Sequence, residues 1–316
     1  MTPADAPSDA HVDVCVVTWN TAELTADALR RLMDSDQGCT LRLLVHDNAS
    51  TDGTAELLKE RVPEADVDAG SENVGFAAGV NALLAKSTAP WVLLLNSDAW
   101  PEPGAIGRLV EAARAHPRAA AVAPRLERPD DGLEHSTFPF PSLRIAALMA
   151  FRRARISHER ADELMLEGDW THDRPRRVDW AVGAAILLRR EALGAIGNLD
   201  ERYFMYVEDL EWCWRATTRG WEIWFEPSAI VRHVGNASGA QRYGARRTKA
   251  YSANAYLFFE RAHGRLATAV YRGLNIAGSG LRYVSARRAG DRELASYWRS
   301  QVAANLVRAK GTKASR

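Results

Sequence analysis

The sequence predicts an α/β fold with a mainly parallel central sheet and a helical C-terminal extension. Three observations carry this expectation. Apolar runs rich in β-branched residues alternate with helical patterns of about ten residues between Val12 and Ala123, the pattern of strands joined by crossover helices. Polar clusters close successive apolar runs at Thr18-Trp19-Asn20, Asp47-Asn48 and Asn96-Ser97-Asp98. From Thr248 the chain reads as helical, with aromatics and frequent arginine.

The elements follow in order. Val12–Trp19 (VDVCVVTW) is too uniformly apolar for a half-exposed strand and reads as a buried parallel one. Glu23–Met33 places Leu24, Ala28, Leu29 and Leu32 on one helical face. Leu41–Val45 is a second strand, ending at His46-Asp47-Asn48, and the turn residues Ser50, Asp52 and Gly53 lead into a helix at Thr54–Arg61. Val67 begins a weak third strand, Phe76–Lys86 is a helix, and Pro90–Leu95 a fourth strand. A helix at Gly104–Ala115 and a short strand at Ala119–Ala123 come next, then a less regular stretch, Pro124–Arg177. Val178–Arg189 is apolar again, and helices are expected at Arg190–Ile196 and Asp209–Arg219, with a strand at Glu222–Phe225. The expected organisation is a disordered leader at 1–11, one α/β domain at 12–247 and a basic helical extension at 248–316.

The composition is that of an ordinary globular chain: 316 residues, 47% hydrophobic, 26% charged, net charge +1. These values exclude disordered, collagenous and disulfide-scaffold classes. A near-neutral total argues against a general nucleic-acid binder. The total conceals an asymmetry, because residues 254–316 carry +9 and the first 253 carry −8. Cys15, Cys39 and Cys213 have no CxxC spacing, which fits a reducing compartment. The N-terminus lacks the basic start and apolar run of a signal peptide. The longest apolar stretch, near Ala181–Leu188, is far short of the roughly 20 residues that span a bilayer. A cytoplasmic protein is expected.

In an open α/β sheet, ligands bind beyond the carboxyl ends of the strands. One polar strand end alone reads as a turn, since Asp and Asn are common turn residues; three at equivalent ends point to one crevice. Asp47–Thr54 (DNASTDGT) makes a tight turn at Asp52-Gly53 into a helix and reads either as a helix N-cap or, beyond that, as a segment in which Asp47 accepts from a nucleobase N–H. In Asn73–Asn81 (NVGFAAGVN), Gly75 and Gly79 let a ligand or another backbone approach a helix start. Neither the GxGxxG nor the P-loop lysine pattern is present, which weighs against dinucleotide and P-loop chemistry.

CVVTWN, DNASTDGT, NVGFAAGVN, LLLNSDAW and the block from Gly183 to Trp221 together resemble the family 2 glycosyltransferases, which are inverting enzymes of the GT-A fold, a Rossmann-like sheet flanked by helices. The likeness runs from about Val12 to Gly239 in order and spacing, and is strongest to the bacterial rhamnosyltransferase branch. It implies a nucleotide-sugar donor, with Asp47 accepting a hydrogen bond from a pyrimidine base and Thr18 and Asn20 lining the nucleotide. Asn73 and Gly75 would lie beside the nucleotide and sugar. Asn96-Ser97-Asp98 falls at the DxD position, where Asp98 would bind Mg²⁺ or Mn²⁺ bridging the diphosphate; Asn96 in place of the first acid removes one charge. His233 matches a histidine that completes the metal site in relatives, and imidazole suits Mn²⁺ better than Mg²⁺.

An inverting transfer needs a carboxylate to take the acceptor hydroxyl proton. Glu208, Asp209 and Glu211 cluster before a helix N-terminus, which the helix dipole alone would also explain. The resemblance makes Asp209 the base, with Glu208 nearby for the acceptor. Most of Trp180, Trp212, Trp214, Trp221 and Trp224 suit core packing; Trp180, just before Gly183, is the candidate for acceptor contact.

The tail carries Tyr251, Tyr256, Phe258, Phe259, Tyr271, Tyr283, Tyr297 and Trp298 among its arginines, and Ile145–Arg155 (IAALMAFRRAR) has the same character. Such stretches suit either an anionic membrane surface or a helical appendage with solvated arginines. By resemblance the acceptor is a glycan or lipid-linked sugar and the donor dTDP-rhamnose, at the inner face of the plasma membrane, with no nucleic-acid partner. A UDP-hexose or UDP-galactofuranose donor, a non-catalytic nucleotide- or carbohydrate-binding module, and a nucleotidyltransferase are the alternatives.

Overall fold

The computed structural model describes residues 10–151, 157–168, 170–235 and 247–307. Nearly all of the expected leader, residues 152–155 of the basic stretch, residues 236–246 with the end of the glycine-flanked segment after His233, and residues 308–316 of the expected extension lie outside the described residues.

The α/β alternation is present. The order is β1 (His11–Thr18), α1 (Ala22–Asp34), β2 (Thr40–Asp47), α2 (Thr54–Arg61), β3 (Asp66–Ala69), α3 (Phe76–Lys86), β4 (Trp91–Asn96), β5 (Ala99–Pro101), α4 (Ala105–Ala115) and β6 (Ala119–Glu127). The irregular middle holds β7 (Leu133–Glu134), β8 (Thr137–Phe138), α5 (Leu143–Phe151), α6 (His158–Glu163), β9 (Arg176–Val178) and β10 (Trp180–Ala181). Then come β11 (Ala185–Arg189), α7 (Arg190–Ile196), α8 (Glu208–Thr218), β12 (Glu222–His233), α9 (Arg247–Arg288) and α10 (Arg292–Asn305).

The main sheet runs β3-β2-β1-β4-β11-β6-β12-β5. Its longest pairings, β1 with β2 and with β4 and β12 with β6, are parallel, while β11, β5, β7 and β9 join antiparallel. The chain leaves β1 for β2 and β3 on one side and crosses to β4 on the other. That switch point opens a crevice at the carboxyl ends. Register puts Thr18 opposite Asp47 and Val17 opposite Asn96, so the three polar strand ends form one ledge.

Strand alternation divides the core into two layers. Val12, Val14 and Val16 pack with Leu29, Leu32, Leu58 and Leu109 on one face. Cys15 and Val17 pack with Val80, Leu83, Ile186 and Trp212 on the other. Cys15 and Cys213 are buried, and burial pushes both thiols up to about 12, so they are inert core groups.

Two elements differ from expectation. The strand expected at Glu222–Phe225 continues to His233, past a register shift between Glu226 and Ile230. Pro227 lies within that shift; it has no N–H for the ladder and interrupts the alternation that reveals a strand. The apolar run Val178–Arg189 is not one element but β9, β10 and β11, with β10 peeling off to pair with β8.

The described part of the extension, residues 248–307, is helical, as expected. α9 is broken at Gly264 (φ 82°, ψ 169°), and α10 is capped by Asp291, whose side chain accepts from Leu294 N. Among the described residues no helix is long and apolar enough to cross a membrane.

Candidate active site

The loop after β2 is knitted to the turn after β1. Asp47 Oδ1 accepts from the amide (3.2 Å) and hydroxyl of Ser50, leaving Oδ2 outside those bonds. Asn20 adopts φ 51°, donates its amide to Ser50 Oγ (2.8 Å) and accepts from Thr51 N at 2.8 Å. Asp52 accepts from Ala22 N at 3.0 Å at the start of α1, and Gly53 (φ 82°) makes the expected turn into α2. Asn20 borders an open hollow of about 660 Å³ whose carboxylates, Glu23, Asp52, Glu56 and Glu60, disfavour a diphosphate there.

Thr18 does not line the crevice through its side chain. Its hydroxyl is buried within 3.0 Å of Thr21 Oγ1 and 2.9 Å of Thr25 Oγ1, so it fixes the start of α1. Only its backbone reaches the ledge, where its carbonyl accepts from Asn48 N at 2.9 Å.

The glycine-bearing segment before α3 takes the second of its two expected uses, approach of another backbone. Asn73 Oδ1 accepts from Gly75 N (3.0 Å), and Asn48 holds the loop by donating to Gly75 O (3.1 Å) and accepting from Val74 N (2.9 Å). Gly75 has φ 90°, and a Cβ there would stand 2.4 Å from the Phe204 carbonyl oxygen. Phe76 N donates to that same oxygen at 2.8 Å, so the first N–H of α3 is engaged and not open to an anion. Gly79 packs against Val17 and His46.

Asn96, Asp98 and His233 meet because β5 pairs antiparallel with β12, setting His233 opposite Ala99. His233 Nε2 lies 3.3 Å from Asp98 Oδ1 and 3.2 Å from Asn96 Nδ2, and its Nδ1 lies 2.8 Å from Glu134 Oε2. Burial opposes protonation of His233, but Asp98 and Glu134 outweigh it and raise the imidazole to about 9. Glu134 is a residue that sequence reasoning missed. A carboxylate on Nδ1 is the usual way a metal-binding imidazole is oriented, with Nε2 aimed at the ion. Among the described residues no group of three or more His, Cys, Asp or Glu could hold a metal unaided. Asp98 and His233 are spaced as two neighbouring ligands of one ion, and a donor diphosphate would supply the remaining oxygens, as Mg²⁺ and Mn²⁺ require. The residues fit a shared protein–substrate metal site.

At the start of α8, Asp209 is half-buried and Glu208 buried. Asp209 Oδ2 accepts from Gly183 N at 2.8 Å and Oδ1 from Leu210 N at 2.7 Å. Burial pushes the Asp209 carboxyl up, against the pull of those two amides. Burial and the neighbouring Asp209 charge push Glu208 well above the usual carboxylate range. Glu208 Oε2 is buried with no hydrogen-bond partner, beside a narrow apolar cavity lined by Leu94, Ile186, Leu199 and Trp212. Gly183 and Asp209 line the same cavity. Glu211 is fully buried and paired with Arg215 (2.9 Å). The three acids thus have three different environments.

The segment that delivers these acids is strained. Tyr206 (φ 74°) and Val207 (φ 79°) are consecutive left-handed non-glycine residues, and each such residue costs about 1–3 kcal/mol. A β-branched valine there is rare outside functional sites.

Gly183 and Trp180 do not form an open acceptor wall. Gly183 serves through its amide as the donor to Asp209. Trp180 is 8% exposed, stacks on Phe138 (5.0 Å) and donates to Pro139 O at 3.2 Å, so its ring is spent on packing. Trp212 and Trp214 pack in or against the core, as expected, and Trp224 stacks on His116. Asn96 N donates to Ala184 O at 2.9 Å. Adjacent residues 183 and 184 therefore bind the Asp209 carboxylate and the strand end that carries Asn96, joining the two halves of the site.

A fold of this kind hosts many chemistries, and it is the comparisons with known proteins that give the class. The family model described as Glycosyl transferase family 2 matches residues 13–162. An N-acetylglucosaminyl-diphospho-decaprenol L-rhamnosyltransferase of Mycobacterium tuberculosis is 30% identical over 239 residues, covering 70% of this chain and 75% of the relative. A pre-mycofactocin glycosyltransferase of the same organism is 26% identical over 231 residues, covering 73% of this chain and 44% of the relative. Among solved structures, the mannosyltransferase PcManGT of Pyrobaculum calidifontis, in complex with GDP-Man and Mn²⁺, superposes with a TM-score of 0.57 at 18% identity, covering 94% of this chain and 86% of that one. The chain belongs to glycosyl transferase family 2 and is an enzyme of that class.

Proposed function

We propose that this enzyme transfers L-rhamnose, with inversion, from dTDP-rhamnose to a hydroxyl of a lipid-linked glycan. The observation that carries the reading is Asp209, a half-buried carboxylate fixed by the Gly183 and Leu210 amides at the crevice rim. The 30% identity to a rhamnosyltransferase named for a polyprenol-linked acceptor supports the sugar and the acceptor class.

In this reading Asp47 accepts the pyrimidine N–H through the oxygen not spent on Ser50. Asn73 and Gly75 shape the loop beside the nucleotide and sugar, and Asn20 holds the neighbouring turn. Asp98 and His233 would hold Mg²⁺ or Mn²⁺, which would neutralise charge on the departing diphosphate. The acceptor oxygen attacks the anomeric carbon as its proton passes to Asp209. The new C–O bond forms opposite the breaking bond to the phosphate oxygen, and dTDP leaves. Burial and the adjacent Asp209 charge both disfavour ionisation of Glu208, which opposes a second charge beside the base. Burial raises the Asp209 carboxyl, which strengthens it as a proton acceptor.

The extension would rest on an anionic membrane surface. Leu266, Val270, Leu281 and Val284 are exposed apolar residues on α9 at helical spacing, and exposed Arg287 and Arg288 end that segment.

The test incubates the enzyme with Mn²⁺, a polyprenyl-diphospho-N-acetylglucosamine and, in parallel, dTDP-rhamnose, UDP-galactose or UDP-galactofuranose. Release of dTDP with a rhamnosylated product is the expected result. Turnover with a UDP-sugar alone would replace the donor assignment, and release of inorganic diphosphate would identify a nucleotidyltransferase.

A further inference from the structure

The left-handed Tyr206–Val207 turn aims Asp209, yet α8 has no side-chain cap at its Val207 N-cap position. Something outside the loop must hold it. Three successive carbonyls before the turn are engaged. Phe204 O accepts from Phe76 N at the start of α3. Met205 O and Tyr206 O both accept from one amide group, Asn254 Nδ2 of α9, at 3.0 and 3.2 Å. Asn254 is fully buried. Its NH₂ carries two donors, enough for two carbonyls that a left-handed turn directs away from the α8 ladder.

Asn254 is not alone on its face. Tyr251 meets the Tyr206 ring edge-on (centroids 6.5 Å apart), Phe258 meets Trp214 of α8 at 5.8 Å, and Arg261 pairs with Asp200 and with Glu211 Oε1 (3.2 Å). Positions 251, 254, 258 and 261 form one helical stripe, and all four touch the segment that presents Asp209. The stripe ends just before the break at Gly264, so the part of α9 that grips the loop is separate from the part with the exposed apolar residues.

We infer that Asn254 is a positioning residue: from the C-terminal extension it pins the Met205 and Tyr206 carbonyls and so fixes the strained turn that sets Asp209 against the reacting hydroxyl. The extension is then part of the active-site architecture and not an appendage. The inference rests on the proposed role of Asp209 as base.

The test compares the wild-type chain with Asn254→Asp, which keeps size but replaces the donor by an acceptor, and with Phe259→Leu as a control. Phe259 is buried in the same helix but stacks on Tyr271 (4.1 Å). Hydrogen exchange of amides 205–211 is read first, since it needs no substrate. Asn254→Asp should speed it at least about tenfold and leave β1 and β2 unchanged, whereas Phe259→Leu should not. Transfer of rhamnose from dTDP-rhamnose is read next, per dTDP-binding site, so that unfolded protein is not counted. Asn254→Asp should lower kcat about 10²-fold, the scale of a misplaced catalytic group, with dTDP affinity within about threefold. Should Asn254→Asp fail to fold, Asn254→Ser, which keeps one donor, is read the same way with an intermediate loss. Unchanged exchange at 205–211, or equal kcat losses in the Asn254 variant and the control, would overturn the inference. An inactive wild-type chain would overturn the proposed function instead, and the exchange result would still decide the positioning.

Discussion

The Gly183 amide donates to Asp209 Oδ2 at 2.8 Å, across the junction between the apolar run before β11 and the start of α8. This bond fixes the direction of the carboxylate from the turn between β10 and β11. The opposite half of the site is tied to the same place, because Ala184 O accepts from Asn96 N at 2.9 Å. In the proposed reaction, a base at Asp209 and a diphosphate site at Asn96-Asp98 held by neighbouring residues would move together, as an in-line displacement between them would require.

The two glycines at the crevice should respond differently to a methyl group. At Gly183 an added Cβ meets only ordinary contacts, the nearest 3.6 Å away, and the amide remains. Gly183→Ala should cost under about 1 kcal/mol and keep most activity. At Gly75 the positive φ and the Phe204 carbonyl oxygen 2.4 Å away both oppose it, so Gly75→Ala should cost at least about 1–3 kcal/mol and impair donor binding. Thermal unfolding and dTDP titration of the two variants check this.

The pH dependence follows from burial of the acidic pair. Asp209 is elevated above its usual value of 3.8, and a base must be ionised, so the acidic limb of kcat/KM should lie above that value. Burial and the Asp209 charge push Glu208 well above the usual carboxylate range, and the protonated form this favours resembles glutamine. Glu208→Gln should therefore cost less than about tenfold in rate, against the 10²–10⁴ expected for loss of a general base. The stability sign runs the same way. A carboxyl whose folded pKa is raised binds its proton more tightly when folded, so its burden on stability grows as pH rises from its unfolded value of 4.5 toward the folded one. Unfolding scans should show Glu208→Gln gaining Tm over wild type with rising pH across that window.

The metal prediction centres on Glu134. If it orients His233 through Nδ1, Glu134→Gln should weaken Mn²⁺ activation by about 10–100-fold without abolishing transfer at saturating metal. His233→Ala should weaken it more, and chelation should remove activity reversibly. Activity of Glu134→Gln with an unchanged Mn²⁺ midpoint would separate Glu134 from the metal.

Much of this site is legible in the sequence. Asp47, Asn96 and Asp98 lie where parallel strands end, and strand ends can be read from apolar runs. His233 is legible through the family resemblance of its segment. Other residues are legible only in three dimensions. Thr18 shares the strand-end signature, but the two helix-start threonines, Thr21 and Thr25, draw its hydroxyl inward. Glu134 sits in a turn-rich stretch without periodicity, 99 residues before the imidazole it binds. Asn254 is a single polar residue in a helical run, 48 and 49 residues after the carbonyls it holds. Trp180 looks like a sugar platform in sequence, yet β10 leaves the main sheet to pair with β8 and carries its ring onto Phe138.

The exposed apolar stripe of α9 makes a separate prediction. Vesicles containing phosphatidylglycerol should retain the enzyme at low salt and release it as salt rises, since the arginine contribution is screened. Leu266→Asp with Leu281→Asp should abolish retention and leave transfer to a soluble acceptor analogue unchanged.

The most direct test of the account is the Asp209→Asn variant in a rhamnosyl-transfer assay scored per dTDP-binding site. The carboxamide keeps the shape and can still accept from Gly183 N, but it cannot take the proton. Transfer should fall by about 10²–10⁴-fold while dTDP affinity stays within about threefold of wild type. Transfer within tenfold of wild type would contradict the assignment of Asp209 as the base.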